Sequence, residues 1–392
     1  MKSNRYILLI VSGLVMVFLL GGGLLVRVGA ADSSFRQSVL FAEVLSLVLE
    51  NYVDPVEADG LLEGAYEGML GGLDPNGAYL TADEVAAWKA DRAENPVGPG
   101  ISVLKSGRIL QVVAVDPASS AGEAGIRVGD HVRRLDEWMA RDLSLIQARR
   151  LLEGPSGTTV RLDLVHPDDG YRREDGIELL RRPRHGRSYN LEVERGIAVL
   201  RLSDVQPSVI GALASELDDV RSRGVTQLLL DLRNLADGDP RQVAEIAALF
   251  GGPTTMQLRD PSGRLLETVR SAADRQPWSG SVSVLVNGAT AGAGEALAAL
   301  VQSDSAVKVF GEPTYGLGAE VRLYDLENGA ALLVPSSVWE TELGKSWNVD
   351  GIQPDEVVRG DGENYAEVSA SQLSRVIELL EQQLAATQDE AA

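Results

Sequence analysis

From Ile197 onward the chain alternates short apolar runs with amphipathic stretches, and this pattern restricts its fold more than any other feature. Ile197 to Leu202, Gln227 to Leu232, Ser281 to Val286 and Val307 to Phe310 are runs of strand length. Between them, Val209 to Arg223, Arg241 to Leu249 and Gly294 to about Val301 carry helical spacing. Strand–helix alternation of this kind predicts an α/β layer architecture. Charge then narrows the partners. The 57 acidic and 36 basic residues leave a net charge of −21, which argues against nucleic acid, because phosphate binding needs clustered Lys and Arg. Cysteine is absent, so disulfides, thiol nucleophiles and Cys-ligated zinc are excluded. No His, Asp and Glu cluster has metal spacing, and no cofactor is expected.

The segments before this region differ in character. Tyr6 to Val26 is uncharged, with Lys2 and Arg5 before it. About 20 apolar residues suffice to cross a bilayer, and the positive flank would stay inside. The reading is therefore a single-pass cell-membrane protein whose bulk is extracytoplasmic (periplasmic or extracellular). The alternative is a cleaved signal peptide ending near Val28-Gly29-Ala30, although the run exceeds the ~7–15 residues of a usual signal core. Phe35 to Asn51 and Leu61 to Leu70 read as helices separated by Pro55, and Thr81-Ala82-Asp83-Glu84 opens a third with a capping box. From about residue 97 the pattern turns β-rich, with strands at Ile109 to Val115, His131 to Leu135 and Thr159 to Val165, and an amphipathic helix from Leu143 to Leu152. The expected domains are a membrane anchor or signal segment over 1–30, a helical arm over 31–96, a β domain over 97–185 and an α/β core over 186–362. A C-terminal helix with an acidic tail over 363–392 completes the chain.

Six landmarks then stand in order: Leu73-Asp74-Pro75; Gly100-Ile101 with Ala124 to Asp130; Leu230-Asp231-Leu232-Arg233-Asn234; Asn287 to Ala296; Gly311-Glu312-Pro313-Thr314-Tyr315-Gly316; and Gly351-Ile352-Gln353-Pro354-Asp355. Together they resemble the C-terminal processing peptidase (tail-specific protease) family. The resemblance implies a helical arm, a PDZ domain over 97–185 and a crotonase-like α/β serine-peptidase core with a Ser/Lys dyad. Such chemistry needs a hydroxyl beside an amine whose pKa burial lowers, and backbone N–H groups aimed at the oxyanion.

The chain departs from the family pattern at the decisive positions. Counting back from Glu295, the nucleophile position is Gly292. The Lys position is Leu317 and the Gln position that follows is Val321. Of the oxyanion loop only Gly238 remains, with Ala293 after the nucleophile position, and Asp237 adds a negative charge nearby. Neither the remaining lysines nor the hydroxyls supply an obvious substitute. Lys2, Lys89 and Lys105 lie in other segments, and Lys308 faces away along its strand, whereas Lys345 stays open. Thr290 is the nearest hydroxyl but should point elsewhere; Ser303 is roughly 16 Å along the helix at ~1.5 Å per residue. His131, His166 and His185 all sit in or just after the β domain. Arg233 is expected to pair with a core carboxylate.

The expectation is a catalytically inactive pseudopeptidase that binds peptide or unfolded-protein C-termini or scaffolds partners. The alternatives are a serine-type endopeptidase with a non-standard nucleophile such as Thr290, and a structural partner of an active paralogue, with homo-oligomers open in either case. Peptide would add a strand to the β domain and place its carboxylate on the loop of Gly98, Gly100 and Ile101, where Pro99 lacks a donor.

Overall fold

The computed structural model describes residues 35–90, 96–183, 188–251, 255–271 and 278–391. The chain divides into two compact units, residues 1–68 and 69–392. In the first, a helix runs over 35–51 and the helix Ala58–Gly71 begins. Its apolar side chains Phe35, Val39, Leu40, Val44 and Leu47 are all more than half exposed or nearly so within the chain.

The second unit is built on a six-stranded sheet. Glu356–Val357, Lys308–Gly311, Ser281–Val286, Gln227–Asp231 and Ile197–Leu202 lie side by side and parallel, and Tyr189–Glu194 closes one edge antiparallel. The side-chain period of two sorts each strand between two cores. On Gln227–Asp231, Leu228 and Leu230 face a cluster with the helices Ile210–Ser222 and Ala293–Gln302, while Leu229 turns to the other side. There it meets Ile197, Leu285 and Phe310 under Val376, Ile377 and Leu380 of the C-terminal helix Tyr365–Ala391. Both faces are thus covered, which explains why the strands read as near-continuous apolar runs.

A guanidinium fixes that last helix in place. Arg233 pairs bidentately with Asp231 (2.8 Å on both arms) and donates to the Ser369 carbonyl and to Gln372 Oε1 on the helix. Both side chains are 1% exposed, as the sequence reading of a structural arginine requires.

The β-rich segment forms a second, antiparallel sheet in the order Ile101–Ser106, Ile109–Val115, His131–Leu135, Thr159–His166 and Arg172–Leu180. Its helix, Leu145–Leu152, starts at a capping box: the Ser144 hydroxyl accepts from the Gln147 N–H, and Gln147 Oε1 accepts from the Ser144 N–H. A third sheet joins Ala78–Leu80, Ala331–Thr341, Thr255–Arg259 and Leu265–Arg270, with Ala319–Asp325 also paired to Ala331–Thr341.

The expectation of a single-pass membrane protein is corrected here. Among the described residues no helix is long and apolar enough to cross a membrane. The run Tyr6 to Val26 on which that expectation rested lies outside the described residues, as does His185.

Candidate functional site

At the end of Ser281–Val286 the chain makes a tight turn before the helix Ala293–Gln302. Asn287 Oδ1 accepts from the N–H groups of Ala289 and Asn234 (3.1 Å each), so one side chain joins this turn to the loop after Gln227–Asp231. Gly292 then stands at the mouth of the helix with φ 52° and ψ −109°. That backbone lies in a region where a side chain is strained, and glycine adopts it freely.

Three residues on, Glu295 organises the surroundings. It is fully buried. Its Oε2 accepts from the N–H groups of Gly292 (3.0 Å) and Leu317 (2.7 Å), and its Oε1 accepts from the Gly316 N–H (2.6 Å) and the Thr314 hydroxyl (2.5 Å). Burial pushes its carboxyl above the usual range, against the pull of these four donors. The sequence used Glu295 only to fix register. Its role as the tie between two loops was not visible, because three of its four partners lie 19 to 22 residues away.

This tie brings the predicted positions together. A Cβ placed on Gly292 would lie 3.8 Å from Leu317 Cδ2 and 3.7 Å from the Ala236 carbonyl oxygen, an ordinary contact with room for a side chain. A Cβ on Gly238 would reach 3.2 Å from the Ala293 Cβ and clash with Val205 at 2.4 Å, so Gly238, with φ 113°, is held close against the helix start. Val321 is not part of this group. It packs with Ala78, Leu80, Leu333 and Trp88 beside the third sheet.

The alternative groups are engaged elsewhere. Thr290 is fully buried and its hydroxyl donates to the Leu232 carbonyl (2.9 Å) while accepting from the Asn287 N–H (3.1 Å). Lys345 Nζ donates to Gln302 Oε1, at the far end of the helix. Ten residues at ~1.5 Å each put that end about 15 Å from Gly292. Lys89 pairs with Asp325, and Lys105 donates to the carbonyls of Arg141 and Leu143. His166 is bonded to Asp130 at 2.8 Å within the β-rich sheet, and His131 opens a strand there. Among the described residues no group of His, Asp and Glu could hold a metal ion.

The β-rich sheet lies directly over this place. Ala236, Ala291, Leu317 and Tyr315 pack into its core. The Tyr315 hydroxyl donates to the Lys105 carbonyl on the edge strand Ile101–Ser106; burial pushes that phenol up to about 12. Arg149 reaches the carbonyls of Ala236 (3.2 Å) and Val103 (3.4 Å). The Ser102 hydroxyl donates to Asp237, and Asn234 Nδ2 to the Val113 carbonyl. The loop of Gly98, Gly100 and Ile101 is close-packed. A Cβ on Gly100 would fall 2.1 Å from the Ser119 Cβ, the Pro99 carbonyl accepts from the Ala121 N–H, and the Gly98 carbonyl accepts from the Arg182 N–H. No sequence signal showed these contacts of Arg149 and Tyr315, whose partners Ala236 and Lys105 are 87 and 210 residues distant.

Residues 196–358 match Peptidase family S41. A "Probable CtpA-like serine protease" of Staphylococcus haemolyticus is 27% identical over 333 residues, 84% of this chain and 66% of that protein. The "Carboxy-terminal processing protease CtpA" of Bacillus subtilis is 24% identical over 367 residues, covering 92% and 76%. The chain spans only 62% to 66% of the length of the first three staphylococcal relatives it matches. Among solved structures, "Photosystem II D1 C-terminal processing protease" superposes with a TM-score of 0.59 at 22% identity, over 84% of this chain and 95% of that one, which speaks for the fold. Residues 196–358 thus match the S41 peptidase family, and the chain is similar to carboxy-terminal processing proteases along most of its length.

Proposed function

We propose that this protein is a pseudopeptidase that holds peptide C-termini and does not cut them. One observation carries the reading: the two positions that face each other across the Glu295 tie, Gly292 and Leu317, offer a hydrogen atom and an isobutyl group. Peptide cleavage by a Ser/Lys dyad needs a hydroxyl and an amine there. Neither Thr290 nor Lys345 replaces them, since the first is hydrogen-bonded to Leu232 and the second sits at the other end of the helix. Asp237, next to Gly238, turns its carboxylate to the Ser102 hydroxyl and to Arg149 (4.0 Å), toward the β-rich sheet.

The β-rich segment is read as PDZ-like, with Ile101–Ser106 as the edge to which a peptide strand would add. Tyr315 and Arg149 already satisfy carbonyls of that edge. A peptide laid along it must displace them, so binding there competes with the chain's own cover.

The test is incubation of the protein with casein, followed by mass spectrometry, beside a Gly292→Ser, Leu317→Lys double variant. The expected result is no cleavage by the natural chain. Cleavage that copurifies with it through successive columns would sink the proposal.

A further inference from the structure

The strand Thr159–His166 ends in a buried histidine. The alternation that puts Val160, Leu162 and Leu164 in the core of the β-rich sheet also turns His166 inward, where it is 6% exposed. Its Nδ1 lies 2.8 Å from Asp130 Oδ1, and Asp130 is 4% exposed. The other carboxylate oxygen, Asp130 Oδ2, accepts from the Arg127 N–H (2.8 Å), so this pair closes the turn from Gly125 to Asp130 against the end of the strand. The second ring nitrogen is placed differently. His166 Nε2 is buried with no hydrogen-bond partner among the described residues, and Glu174 Oε2 stands 3.5 Å from it.

The charges round the ring come from three elements. On the neighbouring strand Arg172–Leu180, Arg172 is opposite His166 and Glu174 sits diagonally on the same face. The connecting turn Pro167–Asp169 supplies Asp168 and Asp169. The turn from Gly125 adds Arg127 and Asp130. His131 and Arg173 both pair with Val165 and so lie on the opposite face of the sheet. Arg172 binds Glu174 (2.7 Å) and Asp169 (2.6 Å) and holds both carboxyls below the usual carboxylate range. These two therefore stay ionised in mild acid, and carboxylates outnumber guanidiniums around the ring.

A neutral imidazole has one donor nitrogen and one acceptor, whereas the charged ring has two donors. Facing the Asp130 carboxylate, the neutral ring spends its N–H on Nδ1. The lone pair of Nε2 is then turned to Glu174, acceptor against acceptor. One added proton converts that opposition into a second charge-assisted hydrogen bond. Imidazole is the side chain that changes charge between about pH 5 and 8.

We propose that His166 is a proton-operated clasp: on taking up a proton, its ring donates Nδ1–H to Asp130 and Nε2–H to Glu174, and so draws the turn from Gly125 and the strand Arg172–Leu180 together. The extra bond exists only in the charged ring. The tightening is thus full in mild acid and is lost as the pH rises and the proton leaves. Its place gives the clasp reach. Val128 of the clasped turn borders a cavity between the β-rich sheet and the core strand Ile197–Leu202. Asp168, just past His166, accepts from the Tyr365 N–H (3.5 Å) at the start of the C-terminal helix. The clasp therefore sets the firmness of the margin at which the β-rich sheet meets the core, whether or not any peptide is cut.

The experiment is amide hydrogen exchange on the full chain at about pH 5.5 and about pH 8, with each rate referred to the intrinsic rate at that pH. In the natural chain, protection of residues 125–130 and 172–180 is expected to be about fivefold higher at the lower pH, the worth of one added hydrogen bond, with Leu228 to Leu230 unaffected. Glu174→Ala removes the acceptor at a side chain that is 43% exposed, and should erase the response while keeping the fold. His166→Gln should erase it too, and His131→Gln should keep it. Each chain is compared with itself at two pH values, so the cost of the substitution itself cancels. Equal protection of the natural chain at both pH values overturns the clasp. A response that survives in Glu174→Ala overturns Nε2 as the acting nitrogen. One that survives in His166→Gln and disappears in His131→Gln moves the sensor to another residue and overturns the proposal equally.

Discussion

Gly292 holds a backbone that costs a side chain about 1–3 kcal/mol. Gly292→Ser is therefore expected to lower unfolding stability by that amount in urea titrations, although the space for the hydroxymethyl group exists. Arg233 is a different case. Arg233→Ala leaves Asp231 buried and uncompensated, and the loss should reach about 3–5 kcal/mol in the same titration. These two positions also show what a sequence gives up at this scale. Gly292 and Leu317 were legible because Glu295 and Gly316 flank them and set the count. Arg233 was legible as a structural arginine, but its partner was not: Asp231 ends the strand, and Arg233 reaches back to it from the turn that follows. The hydrogen bonds of Glu295, and those of Arg149 and Tyr315, were not legible, since each joins loops that only the folded sheet brings together.

Among the elements, the core strands and their helices were readable from apolar runs, and the capping box at Thr81 marked a helix start. The third sheet was not. Ala331–Thr341 contains Pro335 and a mixed burial pattern, and its partners Ala78–Leu80 and Thr255–Arg259 come from distant segments. Alternation therefore gave no clear period. The loop from Thr314 to Leu317 makes its own prediction. The Tyr315 phenol is shifted from about 10 in the unfolded chain to about 12 in the folded one. A raised pKa means that the folded state holds the proton more tightly, so the stabilisation is complete below pH 10 and is lost as pH rises toward 12. Two pH units correspond to about 2–3 kcal/mol at most. The difference in stability between the natural chain and Tyr315→Phe should shrink across that window, measured by denaturant unfolding at each pH.

At the scale of the molecule, the β-rich segment closes over the core loops through Tyr315, Arg149, Asp237 and Asn234. The sequence indicated both parts and their order, but nothing in it showed that one would lie on the other. Combining Tyr315→Phe with Asp237→Ala removes two of these polar contacts and keeps the ring at position 315 that packs against the β-rich core. Amide hydrogen exchange of Ile101–Ser106 should then quicken at least tenfold, while Leu228 to Leu230 exchange unchanged. The place under that cover keeps its form through Glu295, which grips four donors with one side chain and asks nothing of positions 292 and 317 beyond their backbone N–H groups. Shape and reactivity are written there in separate letters. The side chains at those two positions can therefore be exchanged while the four hydrogen bonds of the frame stay in place.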